Sequence, residues 1–178
     1  IKQHGNDIAN TVELGGLGTG LSQNAYIYNN EIKGFMNGAR GGGYAAEYGN
    51  NAIDRLTGKG ATNVAQELVN GHQAKSGADR IVGGVQIQTK YYKSASESIG
   101  AAFEHKQALY LNTDGTMMQI EVPRDQYNQA LQEMQKRIKS GQVPGEINPD
   151  NAKKYVRKGH FTYFQANNIA LAGSIEGI

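Results

Sequence analysis

The residues of this chain best suited to chemistry gather in the stretch GADRIVGGVQIQTKYY, Gly77 to Tyr92. Asp79 to Val82 and Val85 to Lys90 read as two short strands, and Gly83-Gly84 between them can supply the positive φ of a tight two-residue turn. That turn sets a register in which Val82 faces Val85, Ile81 faces Gln86, Arg80 faces Ile87, and Asp79 lies across from Gln88. Period-two alternation then returns Lys90 to the face of Gln88. A carboxylate, two amides and an ammonium, from Asp79, Gln86, Gln88 and Lys90, thus share a polar face open to chemistry. Val82, Val85, Ile87, Thr89 and, less comfortably, Arg80 make the opposite face, which is expected to pack on a core. A second set follows near the end of the chain, where Lys158, His160, Thr162 and Tyr163 fall within six residues. An imidazole beside an ammonium and hydroxyls could cleave RNA without a metal, with His160 as base or acid. Thr162 also has a simpler role in a helix cap, and a lone His before a helix is more often structural.

A strand aspartate, a turn, and a strand ending in Gln, one spacer and Lys resembles the core of the PD-(D/E)xK nucleases. The form Asp79 with Gln88-Thr89-Lys90 is similar to the Mrr-type variant, in which Gln-x-Lys replaces the acidic triplet. The resemblance runs from Gly43 to Tyr92. It implies a divalent-metal-dependent endonuclease, with Mg2+ or Mn2+ as cofactor and DNA preferred over RNA as substrate. It further implies Asp79, Gln88 and Lys90 as catalytic residues, with Asp79, the Gln88 amide oxygen and the Thr89 backbone carbonyl on the metal. The family also places a Glu on the helix before the sheet, and Glu47 stands in that position, with Glu67 as a substitute and Glu121 as a further acidic candidate. On helical spacing, however, Glu47 points away from the apolar residues of its helix, as an ordinary solvated carboxylate would. The Gly-rich amino-terminal part resembles the C-terminal toxin regions of bacterial polymorphic toxins. That likeness implies an immunity protein as partner and a cytoplasmic site of action, whether the protein is made there or delivered as an effector.

Composition limits these readings. The 178 residues suit one domain, or one domain with an arm, and can bury a real core. Cysteine is absent, which removes disulfides, thiolate metal sites and cysteine nucleophiles. The formal net charge is only +2, so there is no global basic field and any nucleic-acid contact must be local. The local candidate is Lys153, Lys154, Arg157 and Lys158, in a stretch from Arg124 to His160 that holds eight Lys or Arg against four Asp or Glu. A solvated helix face is the competing explanation for it. His4, His72 and His105 have no partner at metal-ligand spacing. Gly16-x-Gly18-x-Gly20 lacks the preceding strand that a phosphate loop needs and reads as linker. No apolar run approaches the roughly 18 to 20 residues of a membrane span. The chain starts at Ile1 without Met, as a piece of a longer protein would.

The elements that must position these residues form a mixed α/β domain, with a small central mixed sheet built on two hairpins and flanked by helices. Residues 1–40 are read as a Gly-rich arm plus an amphipathic helix carrying Leu21, Ala25, Tyr28 and Ile32, and residues 41–178 as a single nuclease-like domain. Three glycines, Gly41 to Gly43, precede a helix running to about Leu56, and another from about Asn63 to Asn70 comes before the hairpin. Ser94 to Gly100 reads as a loop. Ala108 to Asn112 and Met117 to Val122 read as a second hairpin around Asp114-Gly115, with Leu109 opposite Ile120 and Leu111 opposite Met118. Pro123 opens a helix whose buried stripe is Tyr127, Ala130, Leu131, Met134 and Ile138. Asn148-Pro149-Asp150 caps a short helix ending near Gly159, and Thr162 with Gln165 makes a capping box for the last helix. A non-catalytic binding domain that keeps this fold is the alternative to an enzyme.

Overall fold

The computed structural model describes residues 41–63 and 77–172. The arm, the first amphipathic helix, Gly16 to Gly20, Glu67, His4 and His72 all lie outside the described residues. So does the expected helix after Asn63, which itself ends a strand.

Helix α1 (Gly41–Leu56) is followed by a meander of strands β1 (Ala61–Asn63), β2 (Arg80–Val82) and β3 (Val85–Thr89). Gly83 and Gly84 take φ of +55° and +82°, the left-handed backbone that glycine adopts without steric cost. The hairpin register is as the turn dictates, Arg80 against Ile87, Ile81 against Gln86 and Val82 against Val85. Helix α2 (Ala95–Gly100) comes next. The expectation of a loop fails there because Ser94 caps the helix, accepting from the Glu97 N–H at 3.3 Å, while Ala95, Ser98 and Ile99 are buried. A small hairpin of β4 (Phe103–Glu104) and β5 (Gln107–Ala108) turns at His105 and Lys106, both at positive φ.

Strand β6 (Gln119–Val122) lies parallel to β3, with Ile87 against Gln119, Gln88 against Ile120 and Thr89 against Glu121. The hairpin expected around Asp114-Gly115 is displaced. Leu111 bridges Met117, and the Met118 N–H donates to the Tyr110 carbonyl at 3.0 Å, one residue off the expected register. The Asp114 carboxylate holds the longer turn by accepting from the Thr116 N–H and hydroxyl at 2.9 and 2.6 Å, which leaves β6 free to pair elsewhere. Pro123 and a 3-10 turn (Arg124–Gln126) lead into α3 (Tyr127–Lys139), which buries Ala130, Met134 and Ile138 as its spacing predicts. The short helix after Asn148 is a 3-10 turn (Pro149–Lys154) that gives way to strand β7 (Val156–Lys158), not a helix to Gly159. The last helix, α4 (Tyr163–Ala172), starts at the predicted capping box: Thr162 Oγ1 accepts from the Gln165 N–H at 3.1 Å, and Gln165 Oε1 from the Thr162 N–H at 3.0 Å.

The five-stranded sheet runs in the order β1-β2-β3-β6-β7, antiparallel through β3 and parallel from β3 to β7. Parallel neighbours need crossovers, and α2 and α3 occupy them. Ile120, Val122 and Val156 pack with Ile99, Ala130, Met134 and Ile138 in the main core on that face. On the other face α1 packs on α4, with Ala45, Ala46, Phe161, Ala166 and Ile169 between them. A Cβ at Gly49 would come within 2.6 Å of the Phe161 ring, so only glycine allows this approach. The fold is mixed α and β around a mixed sheet, a layered arrangement that hides one helix pair behind each face.

Candidate functional site

Strand β3 carries a polar set on each face, because alternate residues point to opposite sides of the sheet. Gln88 sits beside Ile120, on the side of α2 and α3. Thr89 sits beside Glu121, on the side of α1.

The first face brings Asp79, Gln88 and Lys90 together. Below Arg80 the hairpin ladder departs from its register: the Asp79 N–H donates to the Ile87 carbonyl at 2.9 Å, and Asp79 Oδ2 accepts the Thr89 N–H at 2.8 Å. Gln88 is buried, donates through Nε2 to the Gly77 carbonyl and hydrogen-bonds Asp79, while its Oε1 has no hydrogen-bond partner. The Lys90 N–H donates to the Glu121 carbonyl at 2.8 Å, and its ammonium lies 4.5 Å from the centre of the Tyr110 ring. Burial pushes the Asp79 carboxyl above its ordinary value; the Lys90 charge and the hydrogen bonds from Thr89 and Gln88 pull it back in part. A carboxylate that is costly to ionise, beside an amide oxygen without a donor, is a pair short of positive charge. Asn51 Oδ1 and Gln119 Oε1 are also buried without a hydrogen-bond partner, so it is the place of Gln88 Oε1 beside Asp79 that points to a ligand. The donor set fits a hard divalent cation of the Mg2+ type, which takes one or two protein oxygens and completes its shell with water and substrate phosphate. Among the described residues no group of three or more His, Cys, Asp or Glu is placed to hold a metal ion, so such an ion would depend on that mixed shell.

The second face, expected to be apolar, holds an ion-pair network. Arg80 is fully buried and grips Glu121 through both Nε, at 3.1 Å, and Nη2, while Nη2 also reaches Asp54 Oδ2 at 2.8 Å. Glu121 Oε1 accepts further from Asn50 at 2.8 Å and from the Thr89 hydroxyl at 3.1 Å. Arg157 reaches Asp54 Oδ2 at 3.2 Å and Glu121 Oε2 at 3.3 Å. Asp54 Oδ1 meets Lys59 Nζ at 3.2 Å and His160 Nε2 at 2.9 Å. Asn50 fixes His160 by accepting its backbone N–H at 2.7 Å and donates to the Tyr91 hydroxyl at 3.1 Å. Burial alone would raise the Asp54 carboxyl, but the hydrogen bonds and charges of His160 and Arg80 hold it well below the carboxylate range. The Tyr91 hydroxyl is pushed up by burial and by the Glu121 charge.

Glu47 and Glu121 are therefore placed differently from the sequence expectation. Glu47 is buried, not solvated, one turn before Asn50, whose amide donates to Glu121 on the face of the sheet opposite Gln88. The apolar side of α1 goes to α4 instead, so both sides of this helix are covered. Glu121 is tied up by Arg80. The basic quartet is also dispersed. Lys153 and Lys154 are exposed on the 3-10 turn, Arg157 turns into the network, and Lys158 projects from the other face of β7 over Tyr127, 6.0 Å from the ring centre. Sequence reasoning missed Asp54, Arg80 and Asn50. The available signal was the i, i+3, i+7 spacing of Glu47, Asn50 and Asp54, together with an arginine on an otherwise apolar strand face.

The family model described as the YeeR C-terminal domain matches residues 23–139, well over half of the chain. The chain belongs to this family. The YeeR C-terminal match includes Asp54, Asp79, Arg80, Gln88, Lys90 and Glu121 and stops before β7, which carries Arg157. A curated relative, the inner membrane protein YeeR of Escherichia coli (strain K12), is 43% identical over 111 residues, covering 61% of this chain and 21% of that protein. The chain thus spans about a fifth of that relative's length. No solved structure matches. Among the described residues, no helix is long and apolar enough to cross a membrane.

Proposed function

We propose that this YeeR C-terminal domain is a divalent-metal-dependent endonuclease that hydrolyses phosphodiester bonds, DNA before RNA. The observation that carries the reading is Gln88 Oε1, a buried amide oxygen with no hydrogen-bond partner, held beside Asp79 on the face that also presents Lys90. Asp79 and Gln88, with the Thr89 carbonyl as the resemblance implies, would hold the ion. When bound, the metal supplies Lewis-acid activation of water and neutralises charge on the phosphate. Lys90 keeps a fixed cation at the site, where it can orient the attacking water or stabilise the developing phosphorane charge. Thr89 donates its N–H to Asp79 and so keeps one carboxylate oxygen turned toward the strand. Supercoiled plasmid and a folded RNA, incubated with the purified domain and magnesium or manganese, test the reading: cleavage that chelator abolishes is expected, and no cleavage of either substrate would refute it.

One geometry favours a second reading. His160 Nε2 is 2.9 Å from a carboxylate held ionised by its neighbours, the pairing that orients a general-base imidazole. The other members of the expected metal-independent ribonuclease set do not join it. Lys158 lies on Tyr127, Thr162 caps α4, and the Tyr163 N–H donates to Asp125 at 3.3 Å. RNA cleavage that survives chelator would select this reading over the first.

A further inference from the structure

We infer that Lys59, Arg157 and His160 form a phosphate subsite that grips the backbone of a nucleic acid on the α1 side of the sheet. The inference rests on the nuclease reading for its ligand and on a separate set of residues for its geometry. The network around Asp54 and Glu121 sets three permanent cations, Lys59, Arg80 and Arg157, against two carboxylates, with His160 in addition. The two halves of that balance differ in where they lie. Both carboxylates and Arg80 have fully buried side chains, whereas those of Lys59, Arg157 and His160 are 50%, 22% and 28% exposed.

The Asp54 carboxylate draws the three exposed groups together. Its Oδ1 meets Lys59 and His160 at 3.2 and 2.9 Å, and its Oδ2 meets Arg157 at 3.2 Å and Arg80 at 2.8 Å. A carboxylate offers about four lone-pair sites, so four partners saturate it. Lysine has three donors and arginine five, so Lys59 and Arg157 bring more N–H groups to this point than Asp54 can accept. The surplus donors belong to partly exposed groups and are prearranged within one small area. A ligand with several anionic oxygens on one centre suits them, and a backbone phosphodiester is such a ligand. His160 has its backbone fixed by Asn50, so its ring is held in place before any ligand arrives. The sequence-level candidates Lys153, Lys154 and Lys158 contribute nothing to this cluster; only Arg157 of that quartet faces it.

Fluorescence anisotropy with a labelled duplex DNA and a labelled single-stranded RNA, in chelator and over a range of salt, tests the subsite without cleavage. Lys59→Gln and His160→Gln are the informative variants, since neither removes a buried charge, and Lys153→Gln with Lys154→Gln is the comparison. The wild type is expected to bind with a salt-dependent affinity. For Lys59→Gln, the slope of log K against log salt should fall by about 0.9 on duplex DNA, or about 0.7 on a single strand, because one phosphate is no longer neutralised. His160→Gln should weaken binding to both probes, and the Lys153, Lys154 double variant should lose less slope than Lys59→Gln. A slope unchanged in Lys59→Gln, with circular dichroism matching wild type, overturns the subsite, as does a wild type that binds neither probe. Binding that depends on Lys59 in a protein that cuts nothing would leave the subsite standing and remove the nuclease reading.

Discussion

At the scale of single residues, the least expected feature is that Asp54, with a side chain fully out of water, stays ionised. It does so because the hydrogen bonds and charges of His160 and Arg80 outweigh the burial that would raise its pKa. An acid with a depressed folded pKa binds fewer protons folded than unfolded below its ordinary value, so its stabilisation is complete above about 3.8 and disappears as pH falls from there toward the folded pKa. Asp79, shifted upward, has the opposite sign and costs stability once the pH rises past the ordinary carboxylate value. Urea unfolding of wild type and Asp54→Asn isolates the first effect, because Asp79 is common to both. At neutral pH the variant should be less stable by about 3–5 kcal/mol, the cost of breaking a buried pair from one side. The gap should narrow as the pH is lowered through about 4. Parallel curves over that range would mean that Asp54 does not carry the network.

At the scale of elements, what was legible in the sequence was local. Gly83-Gly84 set the β2–β3 register, Pro123 and Gly141 bounded α3, and Thr162 with Gln165 began α4, each through chemistry within a few residues. What was illegible depended on distant partners. Arg80 looked misplaced on its strand because its carboxylates are 26 and 41 residues away. Glu121 was read on a hairpin because nothing in the sequence announces that β6 lies parallel to β3. The last residues of the short helix expected before Gly159 form a strand for the same reason, since their pairing partner is β6. Gly159 is part of that long-range fit: a Cβ there would collide with the Tyr91 hydroxyl and come within 3.0 Å of the Val122 carbonyl. Gly159→Ala should therefore cost about 1–3 kcal/mol by overpacking. Adding Tyr91→Phe should recover part of the loss, which a double-mutant cycle of urea midpoints would resolve. Additive effects would place the strain elsewhere.

At the scale of the whole molecule, strand β3 joins the two polar sets through its own backbone. Thr89 gives its N–H to Asp79 on one side and its hydroxyl to Glu121 on the other, and the Lys90 N–H is held by the Glu121 carbonyl. The proposed reaction site thus rests on a strand that the Thr89 hydroxyl ties to the buried ion pairs, an arrangement suited to holding Asp79, Gln88 and Lys90 in fixed relation. Of the proposed site, the sequence yielded the three residues that converge, while Glu47 and Glu121, meant to support them, lie toward the opposite face. Lys90 offers the most direct test, because it is half-buried against Tyr110 and lies outside the core clusters, so its removal should spare the fold. The measurement is single-turnover cleavage of plasmid at saturating manganese by wild type and Lys90→Ala, with matched thermal unfolding. A rate lower by about 10²-fold or more in the variant, at unchanged stability, is expected; a Lys90→Ala protein that cuts as fast as wild type would contradict the nuclease reading.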